Sequence, residues 1–464
     1  MFDISYGLSY NLKWVFIFFK RMFKESFLDK ILYRIKKLIP KSVFNFFAPY
    51  YHAGLAYLGS IIYGNPSKSL KVIGVTGTKG KSTTVYLISK IFDGAGIPVA
   101  AIGSLGFKIK DKEWPNNLKM TMPGRFKLQK FFYEAKKAGC KYVVLEVTSE
   151  GIKQKRHLGI NFDCAVFTNL HKEHLESHGS FENYYRAKQE LFARTSNTHV
   201  LNADDKNVEL FSKFSSKRTI FYGIESGDIK AQNLELESDR SSFDVYGTRF
   251  NINFGGKFNV LNCLAALSVT AMYGIDLPST RAVLAGIKSI PGRMEFIQKE
   301  PFGVVVDYAH TPDSLEAVYK TLKSQKSTRF NLVDKVKPCR LICVLGAAGG
   351  GRDKWKRPEF GRIASEYCDE IILTNEDPYD ENSEKIIEEI FLGISSNSRP
   401  QSLKVHKILD RREAIREALT KAKQGDTVII TGKGSETSMA VAGGRKIPWS
   451  DKQIVRELLK QTSS

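Results

Sequence analysis

Short apolar runs alternate with amphipathic stretches along most of the chain. Lys71–Val75 is such a run, and it is followed by a helical pattern over Val85–Phe92. Strands that are connected through helices pair in parallel, so this alternation predicts an α/β protein with parallel sheets covered on both faces. The predicted strands are Lys71–Val75, Val99–Ile102, Tyr142–Leu145, Cys164–Thr168, Thr198–Leu201, Val304–Asp307, Leu341–Leu345, Glu370–Thr374 and Thr427–Thr431.

Two segments depart from this alternation. Ile229–Phe254 has the alternating polar and apolar residues of antiparallel strands. Residues 1–70 combine bulky apolar groups with Lys and Arg, which predicts basic amphipathic helices that lie either on a membrane surface or partner, or on this protein's own core. The apolar run Trp14–Phe19 is too short to span a bilayer and lacks the cleavage site of a secretory signal. Residues 65–69 are a predicted linker.

Composition extends this picture to domain number and partners. The chain has 464 residues, of which 42% are hydrophobic, which suggests two to four domains. The formal net charge of +21 predicts attraction to nucleic acid, an anionic membrane or phosphorylated substrates, or else a generally basic surface. Scattered cysteines without a C-x-x-C pair favour reduced, buried thiols over disulfides or a zinc site, at Cys140, Cys164, Cys263, Cys339, Cys343 and Cys368.

Residues 74–83 read G-V-T-G-T-K-G-K-S-T between a predicted strand and a predicted helix. In such loops backbone N–H groups surround phosphate oxygens, a lysine reaches the terminal phosphates and a hydroxyl binds Mg²⁺. The glycine spacing resembles that of the Mur ligase and folylpolyglutamate synthase superfamily more than that of GTPases or kinases. The predicted nucleotide-binding residues are Gly77, Thr78, Gly80, Lys81, Ser82 and Thr83.

Further segments extend the resemblance to the Mur ligases. Glu146 ends a predicted buried strand, where a second Mg²⁺ ligand beside Ser82 is expected. Residues 169–179 and 187–192 resemble N-L-x-x-D-H-L-D-x-H-G and A-K-x-x-L-F, in which the histidine binds a second Mg²⁺ and the lysine is carbamylated. These roles fall on His174 and Lys188. The predicted catalytic groups are Lys81, Glu146, His174 and Lys188, because cations offset repulsion between a carboxylate and a γ-phosphate.

The same resemblance predicts the rest of the nucleotide site and the domains. It places Asn259 at adenine, Arg293 at the phosphates and Asp307, in the motif D-Y-A-H-T-P, at the ribose. It implies a central P-loop ATPase-like domain at 71–299 and a Rossmann-like C-terminal domain at 300–464, after a short helical N-terminal region at 1–70. The bound cofactors would be ATP and Mg²⁺.

Residues 349–358 are similar to the G-G-x-R-D-x-x-K-R-P motif of UDP-N-acetylmuramyl-tripeptide synthetases. Arg352 would bind the carboxylate of an incoming amino acid, and Gly432 and Glu436 would face that amino acid. Diaminopimelate-adding members carry D-N-P-R, whereas residues 376–379 are Glu-Asp-Pro-Tyr. Tyr379 therefore stands in place of the arginine that reads a distal carboxylate, and lysine, ornithine or another diamine stays open, with Glu376 and Asp377 facing a distal ammonium.

The muramyl-peptide substrate is expected at four residues, Thr121, Thr148, Gln154 and Arg156. The last three keep the S-x5-Q-x-R spacing of the family, and Thr121 belongs to a partial T-T-P motif. The family's uridine-binding N-terminal domain of about a hundred residues has no counterpart in the pattern of residues 1–70. UDP would then be held by less protein, or the substrate would be presented differently, such as at a membrane.

Three functions follow from these patterns. The first is a cytoplasmic ATP-dependent acid–amino-acid ligase that adds a residue, such as a diamino acid, to UDP-N-acetylmuramyl-dipeptide in peptidoglycan synthesis. It would use no nucleic acid partner and would touch a membrane peripherally through residues 1–63. The second is a related ligase for polyglutamate, folate or lipid-linked precursors; D-Y-A-H-T-P argues against folate enzymes, and the absence of a cysteine cluster argues against zinc-bearing amidases. The third is a basic, nucleotide-gated binding protein without catalysis.

Overall fold

The computed structural model describes residues 41–118, 120–173, 175–323, 339–396 and 403–462. The amphipathic pattern predicted before residue 41 and the predicted metal ligand His174 lie outside the described residues. In the described part of the chain, three sheets and one hairpin carry the strands.

The largest sheet has nine strands in the order β4-β3-β2-β5-β1-β6-β7-β8-β9, and its pairings are parallel except for the antiparallel pairs β2–β3 and β3–β4. All five strands predicted between residues 71 and 201 are confirmed within two residues at each end. The nine strands are β1 (Lys71–Thr76), β2 (Val99–Gly103), β3 (Gly106–Ile109), β4 (Lys112–Trp114), β5 (Tyr142–Glu146), β6 (Phe162–Phe167), β7 (Thr198–Asn202), β8 (Arg218–Gly223) and β9 (Ile229–Lys230).

Helices cover both faces of this sheet, as continuous apolar strands require. Ile73 faces a core shared with α2 and α8, whereas its neighbour Val72 faces a second core shared with α3 and α6. The described helices of this region are α1 (Lys41–Ile62), α2 (Lys81–Gly94), α3 (Arg125–Lys137), α4 (Ser149–Lys153), α5 (Leu175–His178), α6 (Phe181–Ala193), α7 (Glu209–Ser212), α8 (Lys257–Met272) and α9 (Leu277–Gly286).

The segment Ile229–Phe254 is mostly antiparallel, as predicted. Gln232–Leu236 (β10), Ser241–Val245 (β11) and Thr248–Ile252 (β12) form a three-stranded antiparallel sheet. Its first two residues instead pair in parallel with β8 as β9. Phe243 and Phe250 stack across β11 and β12 at 5.3 Å and join the core under α8.

The second large sheet has six strands in the order β13-β14-β18-β15-β16-β17, parallel except for β13. It confirms the four strands predicted after residue 300, and it begins at Glu295, before the predicted domain start. Its strands are β13 (Glu295–Gln298), β14 (Gly303–Val306), β15 (Leu341–Leu345), β16 (Glu370–Leu373), β17 (Lys404–Lys407) and β18 (Thr427–Ile430). The remaining elements are α10 (Pro312–Lys323), α11 (Lys356–Tyr367), α12 (Ser383–Ser395), α13 (Arg411–Lys421), the hairpin β19 (Ser438–Val441) and β20 (Arg445–Pro448), and α14 (Asp451–Thr462).

Helix α1 is attached to the central domain at its carboxyl end. Ser60 Oγ donates to Gly159 O at 2.9 Å, and the rings of Tyr63 and Tyr133 on α3 lie 5.9 Å apart. Farther towards its start, Phe47 and Tyr50 are exposed by 58% and 73%. Packing on the protein's own core is therefore confirmed for the end of α1 only. Among the described residues, no helix is both long enough and apolar enough to cross a membrane.

The expectation of six reduced cysteines is wrong for two of them. Cys343 on β15 and Cys368, at the end of α11, form a disulfide with a Cα–Cα distance of 6.1 Å. Both face the core between α11 and the second sheet, which brings them together across 25 residues of sequence. Spacing along the chain does not reveal this tertiary proximity. Cys140, Cys164, Cys263 and Cys339 are free.

Candidate active site

The carboxyl ends of the parallel strands in both large sheets face one cleft of about 1360 Å³. Ligands bind at this edge of parallel sheets because the loops and helix starts there present free backbone groups. The cleft brings together almost all of the predicted site residues; Gly77 lies in the phosphate loop behind its surface. Those lining it are Thr78, Gly80, Lys81, Ser82, Thr83, Thr121, Glu146, Thr148, Gln154, Arg156, Lys188, Asn259, Arg293, Asp307, Arg352, Glu376, Asp377, Tyr379, Gly432 and Glu436.

The phosphate loop joins β1 to α2 and needs glycine at two positions. Gly77 and Gly80 have φ values of 149° and 79°, and a Cβ on Gly77 would lie 1.9 Å from Thr168 Oγ1. Lys81 Nζ donates to Gly77 O at 3.0 Å and to Thr78 O at 2.8 Å. The lysine is thus held over the loop at the start of a 14-residue helix, where backbone N–H groups attract anions.

Lys188 lies on α6 and reaches the same loop from below. Its side chain is 1% exposed, its Nζ donates to Gly77 O at 2.7 Å and it lies 4.5 Å from the centre of the Tyr184 ring. Among the described residues it has no carboxylate within ion-pair distance. Burial, reinforced by the positive charges of Lys81 and Lys79, lowers the pKa of Lys188 well below its usual value. Burial therefore favours the neutral amine relative to an exposed lysine.

Glu146 and Ser82 carry side-chain oxygen atoms of the kind that Mg²⁺ prefers. Glu146 ends β5, is 2% exposed and accepts a hydrogen bond from Ser104 N at 2.8 Å. Mg²⁺ prefers oxygen ligands and usually takes only one or two from the protein, the others coming from phosphate and water. Within the described ranges, no three His, Cys, Asp or Glu side chains are grouped as a metal site.

The expected nucleotide contacts beyond the loop come from three elements. Asn259 in the first turn of α8 is 1% exposed, and its amide donates to Gly255 O at 2.8 Å. Asp307 follows β14 and accepts hydrogen bonds from Met294 N and Ala309 N, both at 2.6 Å. Burial raises its pKa, although Arg293 opposes this. The Arg293 guanidinium lies 4.3 Å from the centre of the Tyr308 ring.

The four residues expected at the muramyl-peptide line one wall of the cleft. Thr121 Oγ1 lies 2.9 Å from Ser104 Oγ, and Thr148 Oγ1 caps α4 by accepting from Gly151 N at 3.0 Å. Arg156 donates to Gln154 Oε1 at 2.6 Å. The hydroxyl of Thr148 therefore already accepts one hydrogen bond from the backbone of this protein.

On the opposite wall, Glu376 follows β16 and is 5% exposed. Its Oε2 atom has no hydrogen-bond partner. Burial raises the pKa of Glu376 to about 7, although Arg411 and Lys433 oppose this. A Cβ on Gly432, whose φ is 106°, would lie 2.5 Å from Glu376 Oε2, so the close approach of this carboxylate requires glycine.

Asp377 differs from its neighbour because its carboxylate is engaged. Its Oδ1 accepts from Lys433 Nζ and from Ala440 N, both at 2.8 Å. Lys433 is fully buried and also contacts Glu436. Asp377 therefore orients a lysine that the sequence did not single out, and Glu376 is the acid that keeps an unused oxygen.

Arg352 lies in the loop before α11 and Tyr379 lies opposite it. The Tyr379 phenol is close enough to the Arg352 guanidinium to act on it electrostatically. Burial lowers the pKa of Arg352, but Tyr379, Tyr308 and Asp377 together outweigh burial, and the net shift is upward. Tyr379 has φ 53°, and its ring packs where a Cβ on Gly350 would lie, 2.6 Å away. The tyrosine thus shapes the loop that carries Arg352.

A charged cluster between the two halves was not identified from the sequence. Glu173 is 4% exposed, and its carboxylate lies 3.3 Å from Lys79 Nζ, 3.6 Å from Lys356 Nζ and 3.8 Å from His310 Nε2. Burial lowers the pKa of Lys79 to about 8, although Glu173 opposes this. Glu173 and Lys356 both lie within motifs quoted from the sequence, but their contact is tertiary and joins the phosphate loop to the C-terminal domain.

Family models match this chain in two blocks, the Mur ligase middle domain over residues 75–270 and the Mur ligase glutamate ligase domain over residues 292–434. A curated relative, UDP-N-acetylmuramoyl-L-alanyl-D-glutamate–2,6-diaminopimelate ligase 1 of Clostridium acetobutylicum, is 37% identical over 415 residues, which cover 88% of this chain and 82% of the relative.

Solved structures that resemble this chain are also Mur ligases. A structure of UDP-N-acetylmuramoyl-L-alanyl-D-glutamate–2,6-diaminopimelate ligase matches with a TM-score of 0.60 and 30% identity, covering 89% of this chain and 83% of that one. The MurF ligase from Thermotoga maritima in complex with ADP has the same fold, with a TM-score of 0.62, 20% identity and coverage of 88% and 83%. The chain therefore belongs to the Mur ligase family.

Proposed function

We propose that this protein is an ATP-dependent ligase that joins a diamino acid to UDP-N-acetylmuramyl-dipeptide in peptidoglycan precursor synthesis. The observation that carries this proposal is the cleft in which the phosphate loop, Lys188 and the Arg352–Glu376 wall face one another. The similarity to diaminopimelate ligases over 88% of the chain supports it.

The reaction would proceed through an acyl phosphate. The substrate carboxylate attacks the γ-phosphorus of ATP and ADP leaves, and the amine of the amino acid then attacks the acyl carbon. The tetrahedral intermediate expels phosphate, and the peptide bond remains. Lys81 and Arg293 balance phosphate charge, with Thr78, Gly80 and Thr83 around the phosphates, while Asn259 and Asp307 hold adenine and ribose. The C-terminal domain would close and exclude water from the acyl phosphate.

Mg²⁺ would neutralise the charge that accumulates between carboxylate and phosphates. We assign its protein ligands to Ser82, Glu146, His174 and a carbamylated Lys188. The environment of Lys188 supports the modification, because only a neutral amine adds to carbon dioxide and the pKa of this amine is strongly lowered. A carbamate would supply an anionic oxygen where an ammonium would repel the metal.

The amino acid would lie between Arg352 and Glu376. Arg352 would bind its α-carboxylate, and Gly432 and Glu436 would face its amines. The unused Oε2 of Glu376 supports a role in binding the side-chain ammonium, whereas Asp377 supports this site through Lys433. Tyr379 supplies no cation for a distal carboxylate. We therefore expect that lysine or ornithine is the substrate in place of diaminopimelate, the amino acid in the relative's name.

The proposal includes a domain division near residue 300 and a cytoplasmic location. It also includes peripheral contact of residues 1–63 with a membrane. The exposed Phe47, Tyr50 and Ile61 of α1 and the basic residues before it support that contact. A ligase for polyglutamate or a lipid-linked acceptor is the alternative.

The test is phosphate release from ATP with UDP-N-acetylmuramyl-dipeptide and L-lysine, L-ornithine, meso-diaminopimelate or L-glutamate. We expect release only when the muramyl-dipeptide and one diamino acid are both present, with one new peptide per phosphate. Failure with all four amino acids would contradict the proposal and favour the other acceptors.

A further inference from the structure

Two arginines lie side by side at the start of α3, and neither forms an ion pair with a carboxylate of the described residues. Arg156 is 6% exposed, and Arg125 is half-buried beside it. Burial and the neighbouring Arg156 guanidinium lower the pKa of Arg125 to about 10. Glu150 acts on Arg156 electrostatically, but its carboxylate oxygens accept hydrogen bonds from Gln154 and Ser177.

The two guanidiniums do not use all of their N–H donors in hydrogen bonds to the described residues. Arg125 donates to Gln154 O, and Arg156 donates to Met122 O and to Gln154 Oε1. The Nε atoms of both arginines are buried and have no partner. A buried cation without a counter-charge is costly, and a pair of them costs more. The pair is thus arranged as an incomplete site for a negative group.

The backbone beside the pair has the same polarity. Helix α3 has 13 residues, begins after Gly124 and has neither a side-chain cap nor an acidic residue in its first turn. Its first N–H groups and its dipole favour an anion. Arg156 lines the cleft with Thr121 and Gln154, so the Arg156 side of this positive corner borders the expected acceptor.

We propose that Arg125 is a binding residue for the acceptor substrate, pairing with Arg156 and the start of α3 around one oxyanion. This rests on the proposed function and extends it, because Arg125 belongs to none of the motifs that the family shares with this chain. The oxyanion is either a carboxylate of the acceptor's peptide or a phosphate of its nucleotide. Tyr51 of α1 lies close enough to influence Arg125 electrostatically, so the N-terminal helix borders this corner.

The experiment compares Arg125→Gln, Arg125→Lys and Lys130→Gln in the full chain. Lys130 is an exposed residue of the same helix and serves as the matched control. A lost charge-assisted hydrogen bond should raise KM for the acceptor about tenfold in Arg125→Gln, less in Arg125→Lys and not at all in Lys130→Gln. KM for ATP and for the amino acid, and kcat, should stay within about twofold.

A purely structural role would give a different result. If Arg125 only fastens the Gln154 loop, Arg125→Gln would lower kcat or Tm without a selective rise in KM for the acceptor, and that outcome would overturn the inference. Ligation by the wild type with an unchanged acceptor KM in Arg125→Gln would overturn this inference alone, whereas the absence of ligation by the wild type would count against the proposed function.

Direct titration separates the sources of the anion and does not require turnover. UDP and N-acetylmuramyl-L-alanyl-D-glutamate are titrated separately into wild type and Arg125→Gln. Weaker binding of UDP to the variant supports a phosphate, and weaker binding of the muramyl-dipeptide supports a carboxylate. Equal binding of both ligands to the two proteins would contradict the proposal, whether or not the wild type ligates.

Discussion

Lys188 beside the phosphate loop and Lys433 beside Asp377 are both buried, but the two lysines are held in opposite ways. Lys188, 1% exposed, contacts a backbone carbonyl and an aromatic ring, and its pKa is lowered well below the usual value by burial. Lys433 is fully buried too; burial lowers its pKa, but Glu436 and Asp377 outweigh burial and raise it. Burial alone therefore does not determine the charge of a lysine; the neighbouring groups do.

The largest expected effect is at Lys188. Replacing it with Ala should lower kcat by about a thousandfold or more, since the proposed carbamate would be an anionic ligand that organises the charged transition state. Added acetate or formate should restore part of the rate by supplying a carboxylate oxygen. Phosphate release measures both effects, and Lys130→Ala is the exposed-lysine control. Near-wild-type turnover of Lys188→Ala would show that this lysine is not catalytic.

Lys433→Met should chiefly affect stability. Removing the buried cation leaves Asp377 and Glu436 without their counter-charge, which should lower the free energy of unfolding by about 3 kcal/mol. Urea denaturation followed by fluorescence measures this change. The double variant Lys433→Met/Asp377→Asn should regain part of the loss, because it removes one of the uncompensated charges. Equal stability of Lys433→Met and wild type would mean that the pair contributes no net stability.

Glu376→Gln should have a smaller and more selective effect. The amide keeps the shape of the side chain but cannot pair with an ammonium, so KM for the preferred diamino acid should rise about tenfold. KM for ATP should not change, and Glu384→Gln, on an exposed helix position, should resemble the wild type. An unchanged KM for the amino acid would place its side-chain ammonium elsewhere.

The smallest effect concerns pH. Since the pKa of Glu376 is raised from 4.5 to about 7, its carboxylate ionises near neutrality, and KM for the diamino acid should fall as pH increases through 7. In the empty protein this ionisation disfavours the folded state, so its contribution to stability decreases as pH increases from about 4.5 to 7. Steady-state kinetics of wild type and Glu376→Gln from pH 6 to 8 should show this slope in the wild type only.

The fold and most of the cleft could be predicted from the sequence because both depend on local patterns. Buried strands are continuous apolar runs, and the phosphate loop requires glycines at fixed positions such as Gly77. The membership of Thr148 or Arg352 in the cleft follows from motifs at strand ends. Each of these features can be recognised from a few neighbouring residues of the sequence.

Other features depend on tertiary contacts and cannot be recognised from neighbouring residues of the sequence. The disulfide between Cys343 and Cys368, the contact of Glu173 with Lys356, and the pairing of Lys433 with Asp377 all join segments that are distant along the chain. From the sequence, Glu376 and Asp377 are expected to have the same role. Their surroundings distinguish them, because Glu376 keeps an oxygen without a partner and Asp377 accepts hydrogen bonds from Lys433 and Ala440. The same holds for Arg125, whose significance depends on Arg156 beside it.

The most direct test of the account is oxygen transfer from the acceptor to phosphate. The muramyl-dipeptide is labelled with ¹⁸O in its glutamyl carboxylates and incubated with ATP, Mg²⁺ and the preferred diamino acid, and the released phosphate is analysed by mass spectrometry. An acyl phosphate requires that one labelled oxygen enters phosphate for each peptide bond formed. Unlabelled phosphate accompanying peptide synthesis would contradict activation of the carboxylate by phosphoryl transfer.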